Sequence, residues 1–458
     1  MAAYLQQIQF VFIPFALLLI FVLVQYPQYL FYLLLAAIPW SFEYSFSPTM
    51  ATDVPDEPLM LLAAVASITL FIYKKQVNLL RLHPLLFLIL IHFFWTIITV
   101  ILSTNMLISA KYLLAKAWYL LAFVSLPLFL FENKKKLKLA AFILTGSMLL
   151  LMFVILAKHG QYNWSFEKVN HALHPFYKNH VTYSALLVLI VPLQMAFIRN
   201  TVSRSLRYFL IGILLISFMA LYFSYARGAW IALFTGVAAY WLLKRKFLLP
   251  GFVIFFAICI GSVLWLKTND KYLKFAPDYN TTVYHTDFRE HMIATYQMKD
   301  VSTAERYYRW IAGIRMTKDS WNTGFGPGTF YSNYKSYTIP AFKTWVSKNE
   351  EHSTVHNYFL LLVVEQGVIG LLLFLLLVGC LFWYAQKIYH STKNRFWKTV
   401  TATIAAILTM ICTVNFLSDL IETDKVGSIF YLCVATLIVA DVKTKDLVQA
   451  ETGNSNTI

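Results

Sequence analysis

Arg227 stands in Phe223-Ser224-Tyr225-Ala226-Arg227-Gly228-Ala229-Trp230, between two long apolar runs. An arginine at the centre of a bilayer helix costs roughly 3 kcal/mol on insertion scales. It persists only near a helix end, in a wet cavity or beside an anion. Its planar fork grips phosphate or pyrophosphate through paired hydrogen bonds, and Gly228 and Ala229 let a ligand approach the backbone. The plainer reading is an arginine snorkelling at a helix end. Arg306 and Arg309 lie about one turn apart in Glu305-Arg306-Tyr307-Tyr308-Arg309-Trp310. They read either as a solvated helix face with Glu305 as partner, or as a second cationic clamp that neutralises charge growing on a leaving group. His356, in His352-Ser353-Thr354-Val355-His356-Asn357, is the candidate general base. An unperturbed imidazole titrates at about 6.5 and can take a proton from a sugar hydroxyl at neutral pH; otherwise it only starts a helix. His352 and His356 are spaced to share a zinc ion. However, Glu351 precedes the first histidine and no third ligand is evident, so no metal is expected. His171, His174 and His180, with Asn179, form either a wet loop or an acceptor-side wall of the same cavity. Glu365 falls about half a turn off the His356 face and is expected to be buried and paired elsewhere. A helix break is expected at Gln366-Gly367, and Gly367 and Gly370 admit a close neighbour.

The elements that must position these residues are membrane helices. The chain has 458 residues, 59% hydrophobic and 13% charged, about half the charge of a soluble protein. Its apolar blocks are close to the ~20 residues that cross the hydrocarbon core. The fold class is therefore all-α, a polytopic transmembrane bundle of about 12–13 spans. Candidate spans are 7–25, 28–42, 58–73, 84–102, 110–131, 137–157, 181–198, 208–224, 228–243, 247–266, 357–384, 399–417 and 426–440. The first two decide between twelve and thirteen, because they either both cross or form one shallow piece. The net charge of +16 lies mostly in short loops, around Lys74, Lys134–Lys138, Arg199–Arg207, Lys244–Lys246 and Lys387–Lys398. That is the positive-inside pattern, not a nucleic-acid surface. It puts 43–57, 103–109, 158–180, 225–227, 267–356 and 418–425 on the outer face. Residues 1–266 form helices with short loops, 267–356 a large folded outer loop, 357–440 the last helices and 441–458 a cytoplasmic tail. Glu305–Lys318 reads as an amphipathic helix, followed by the turn-rich Gly324-Phe325-Gly326-Pro327-Gly328. The cysteines Cys259, Cys380, Cys412 and Cys433 lie in apolar segments and read as packing residues. An anion clamp, a base and an outer lid together indicate an enzyme acting on an anionic, lipid-borne substrate.

His356-Asn357, followed after nine residues by Gly367-Val368-Ile369-Gly370, resembles the signature of the O-antigen ligase superfamily. Ser224–Trp230 resembles its helix junction, with Tyr225-Ala226 where many members have a serine beside the arginine. Glu305-Arg306 with Trp310, then Gly324–Gly328, resembles its outer-loop arginine and glycine turn. The resemblance covers about 200–370. It implies a GT-C-like membrane glycosyltransferase of the bacterial inner membrane, active at the periplasmic face. Such an enzyme moves a glycan from an undecaprenyl-pyrophosphate carrier to a hydroxyl acceptor, with inversion, without a cofactor or, in the ligases, a metal. Carried over, Arg227 and Arg306 hold the pyrophosphate and His356 is the base. Arg309, Asn357, His352, His180 and Tyr225 are the expected substrate contacts. The acceptor is either lipid A-core, for a ligase, or a growing glycan, for a polymerase. A transporter or flippase for lipid-linked glycan is the reading from another class, disfavoured because no internal repeat is visible.

Overall fold

The computed structural model describes residues 21–22, 25–47, 50–73, 83–275, 301–343, 347–349 and 353–455. Most of them are helical. Ten helices among the described residues are long and apolar enough to cross a membrane. They are α2 (Asp56–Tyr73), α3 (Pro84–Ile101), α4 (Met106–Leu130), α5 (Lys134–Gly160), α6 (His180–Asn200), α7 (Arg204–Phe223), α9 (Leu248–Lys267), α11 (Tyr358–Ser391), α12 (Arg395–Phe416) and α13 (Asp424–Ser455). α8 (Arg227–Lys244) has the length of a span but carries a cation at each end.

Against the expected 12–13 spans, these ten are the ones found among the described residues. Most of the run 7–25 lies outside the described residues. The run 28–42 is not a span: α1 (Pro27–Ala37) continues only through a tight turn at Ile38–Trp40. Fourteen helical residues reach about 20 Å, short of the ~30 Å core. The chain then enters an antiparallel hairpin, β1 (Phe42–Ser47) and β2 (Met50–Val54), with Glu43 opposite Asp53. Leu30, Phe31, Leu34 and Leu35 of the short helix and Ile38 of the turn are fully buried, so one face of it wedges against α2 and α5.

Small residues draw the site-bearing helices together. Ala229, Ala232, Gly236 and Ala239 form the buried stripe of α8, and α8 makes its most extensive contact with α12. A side chain at Gly236 would overlap Met410, which is how a small-residue stripe lets two helices close up.

The expected amphipathic helix of the outer loop is α10 (Val301–Met316). The glycine turn after it docks into the expected break in α11. Gly367 has φ 71° and ψ 178°, a region essentially reserved for glycine. There the Phe325 and Gly326 N–H groups donate to the Val364 and Glu365 carbonyls, at 2.8 and 2.9 Å, and Val368 N–H donates to Trp321 at 2.8 Å. Both carboxylate oxygens of buried Glu365 accept backbone N–H groups, of Gly328 (2.9 Å) and Phe330 (3.0 Å). Glu365 is therefore a clamp for the turn, buried and paired as the helical spacing suggested. A Cβ at Gly367 would overlap the Asn322 carbonyl oxygen. Gly367→Ala is expected to cost at least about 1–3 kcal/mol from backbone strain alone and to loosen the outer loop. Thermal melting and limited proteolysis of the 301–343 region check this, and unchanged values in both would rule out the docking role.

Candidate functional site

Four of the connections that the charge bias assigns to the outer face enclose one cavity of about 600 Å3. Its walls come from β1 and β2 (Phe42, Glu43, Ser45, Asp53), from His174–Asn179 with Val181 and Thr182, from Arg306 with Ser353, Thr354 and His356, and from the α12–α13 connection (Leu417–Leu420, Glu422–Lys425).

His356 precedes the start of α11. Asn357 caps that helix, its side chain accepting the Leu360 N–H at 3.0 Å, and Tyr358 N–H donates to the Ser418 carbonyl at 3.0 Å. This ties the α12–α13 connection to the helix start and sets Asp419 beside His356. The histidine itself is left-handed, at φ 52°. Its Nδ1 lies 3.8 Å from Asp419 Oδ1, and the Thr354 hydroxyl donates to Asp419 Oδ2. A separation of 3.8 Å is an ion-pair distance, longer than a hydrogen bond. Catalytic contacts of this kind commonly tighten when substrate binds. Burial opposes ionisation of Asp419. The nearby His356 ring and its charge, with the Thr354 hydroxyl, outweigh it, holding the carboxyl below its ordinary range. With Nδ1 turned to a carboxylate, Nε2 is the nitrogen left for a substrate proton.

The two arginines of α10 part company. Arg306 lines the cavity, half-buried. Arg309, 6% exposed, turns inward to Glu305 at 3.2 Å, and Glu305 also accepts the Ser347 hydroxyl at 2.6 Å. Arg309 thus pairs within α10, away from the cavity wall. Arg227 is the first residue of α8, after a corner made by left-handed Tyr225 (φ 56°). The Tyr225 hydroxyl donates to the Trp164 carbonyl at 2.6 Å. A Cβ at Gly228 would sit 3.8 Å from Leu417, a cavity residue, so the corner adjoins the cavity wall. Arg227, Tyr225, Arg309, Asn357 and His180 are not among the lining residues. The His180 ring sits 3.3 Å from Asn170, while Asn179, Val181 and Thr182 beside it do line the cavity, as does His174. His352 lies outside the described residues.

Sequence reading missed the carboxylate wall. Glu43, Asp53, Asp419, Glu422 and Asp424 outnumber the cations Lys178, Arg306 and Lys425 around the cavity, which gives it many acceptors for hydroxyl donors. A signal was present: Ser418–Lys425 places three of the chain's 22 acidic residues in one short connection between apolar runs. Lys425 is buried, with its ammonium 2.6 Å from the Ser41 carbonyl and 5.0 Å from the centre of the Tyr177 ring. Tyr119 donates to Asp424 at 3.0 Å, and Lys116 pairs with Glu422 at 3.2 Å. Burial, then the hydrogen bond with Asp424 and the charges of Asp424 and Asp56, push Asp53 up to about 8 against the pull of Lys425. The folded state therefore holds a proton there that the unfolded chain releases near its ordinary value. Stability falls as pH rises from that value through about 8. Asp53→Asn is expected to melt higher than wild type, by a margin that grows with pH up to that value. A margin independent of pH would mean that Asp53 is not the proton holder.

The match to known families falls on this region. Residues 212–375 match the O-antigen ligase family (Wzy_C). The matched segment runs from within α7 through the Arg227 corner, α10 and the glycine turn to the broken helix after His356. It thus contains Arg227, Arg306 and His356, while Asp419 and the rest of the carboxylate wall lie beyond it. No curated protein matches the chain. The similarity of 212–375 to that family, with ten membrane-length helices among the described residues, supports a multi-pass membrane protein with a glycosyltransferase-type role.

Proposed function

We propose that this protein transfers a glycan from an undecaprenyl-pyrophosphate carrier to a sugar hydroxyl, at the outer face of the bacterial inner membrane. The supporting observation is that His356, Asp419 and Arg306, from three separate segments, border a single cavity. In this reading the acceptor O–H attacks the anomeric carbon and its proton passes to His356. The carbon–oxygen bond to pyrophosphate breaks, and the carrier pyrophosphate leaves with the electron pair. The anomeric centre inverts. Asp419 orients the imidazole and stabilises its protonated form. Arg306 meets the negative charge that grows on the pyrophosphate. Arg227, at a helix start next to the cavity wall, holds the donor phosphates with the help of the backbone N–H groups there. The carboxylate wall receives the hydroxyls of the acceptor.

Lipid A-core is the preferred acceptor, which makes the protein a ligase. The test is purified protein in lipid vesicles with a carrier-linked glycan, offered lipid A-core or a second carrier-linked glycan. Transfer to lipid A-core supports the ligase, and extension of the carrier-linked chain makes it a polymerase. Movement of intact donor across the vesicle without any transfer would replace the glycosyltransferase reading with a transporter.

A further inference from the structure

The opposite, basic end of the bundle holds a second opening. An apolar cavity of about 270 Å3 lies between α5, α6, α12 and α13. On α5 it runs from Leu137 to Leu144, and on α12 from Phe396 to Ile407. Measured from the helix starts at Lys134 and Arg395, and at ~1.5 Å per residue, those inner limits lie about 15 and about 18 Å along the helices. That is about half of the ~30 Å hydrocarbon core. The slot is one leaflet deep.

Its chemistry changes along that depth. The inner walls are aliphatic, and the hydroxyls of Thr399 and Thr436 are spent on carbonyls of their own helices, Arg395 (3.0 Å) and Leu432 (2.7 Å). The walls are therefore mostly apolar, with the Thr403 hydroxyl among them. The mouth is cationic. Lys138 lines it and no carboxylate does. The Lys134 and Lys138 ammonium groups hang 5.6 and 5.3 Å from the centre of the Phe396 ring, itself a wall residue. Arg395 is anchored alongside by a 3.2 Å hydrogen bond to the Arg199 carbonyl. A hydrocarbon slot of leaflet depth under a basic rim complements an anionic lipid. We propose that it holds one acyl chain of an anionic glycerophospholipid, whose headgroup phosphate rests among Lys134, Lys138 and Arg395. The site is separate from the glycan cavity and does not depend on its function.

The test is native mass spectrometry of the purified full chain, stripped of lipid and titrated with phosphatidylglycerol or phosphatidylcholine. The expected result is retention of one phosphatidylglycerol in preference to phosphatidylcholine. The double variant Lys134→Gln/Lys138→Gln, exposed and harmless to folding, should weaken that retention about tenfold or more. Ala196→Leu, which narrows the slot, should weaken it with the rim intact, whereas Lys244→Gln at another basic loop should not. Equal retention of the two lipids, or unchanged retention in the rim variant, would overturn the proposal. Displacement of phosphatidylglycerol by an equimolar isoprenyl phosphate would overturn it too, by giving the slot to a carrier lipid.

Discussion

His356→Ala is expected to lower glycan transfer by roughly 10²–10⁴-fold, the usual contribution of a general base, while binding of the carrier-linked donor is retained. In the proposed reaction donor affinity depends on the arginines, whereas the histidine acts on the acceptor proton. Its contacts are with Thr354 and Asp419. Asp419→Asn keeps the shape and removes the charge beside Nδ1, so it should be slower than wild type but faster than His356→Ala. Combining the two should add no further loss, because groups that act as a unit are not additive. The pH dependence is a sharper check. Asp419 is held below its ordinary range, so its charge is constant across neutral pH. The support it gives His356 should therefore be present throughout that range. In wild type the support from Asp419 is lost only as pH falls through that lowered value. Additive losses in the double variant would leave two independent residues where a dyad is proposed. Loss of donor binding in His356→Ala would make the histidine a structural or donor-holding group.

Much of this architecture was written locally. The long apolar runs set the spans, the glycine pair after Gln366 marked the break in α11, and the 3.6-residue periodicity of 305–318 announced α10. The three functional candidates Arg227, Arg306 and His356 stood out because each is costly or reactive where it sits. What stayed hidden is what depends on distance through the fold. The run 28–42 has the composition of a span. It stops at Ala37 because the Ile38–Trp40 turn and the hairpin beyond it redirect the chain. Asp419 is 63 residues from His356, and the bonds from Tyr358 to Ser418 and from Thr354 to Asp419 bring them together. Arg306 and Arg309 look alike in sequence. Tertiary packing alone sends one to the cavity and the other to Glu305 on the buried side of α10.

That divergence gives the second large effect. Arg306→Ala is expected to weaken donor binding roughly ten- to a hundred-fold, as befits loss of hydrogen bonds to a charged group, at near-normal melting temperature. Arg306→Lys should recover only part of this, because an ammonium cannot make the paired contact. Arg309→Ala should behave in the opposite way. It removes the guanidinium opposite a Glu305 carboxylate that is only 5% exposed, and breaking such a buried pair costs about 3–5 kcal/mol. Protein yield and melting temperature should fall, with donor affinity per folded molecule near wild type. Replacing the pair together, as Glu305→Leu/Arg309→Met, should restore much of the stability, since apolar side chains of similar volume carry no desolvation cost. Melting curves and carrier-lipid binding, measured on the same preparations, separate the two arginines. If Arg309→Ala bound donor poorly at an unchanged melting temperature, the pyrophosphate clamp would include Arg309, and the inward turn toward Glu305 would describe only the unliganded protein.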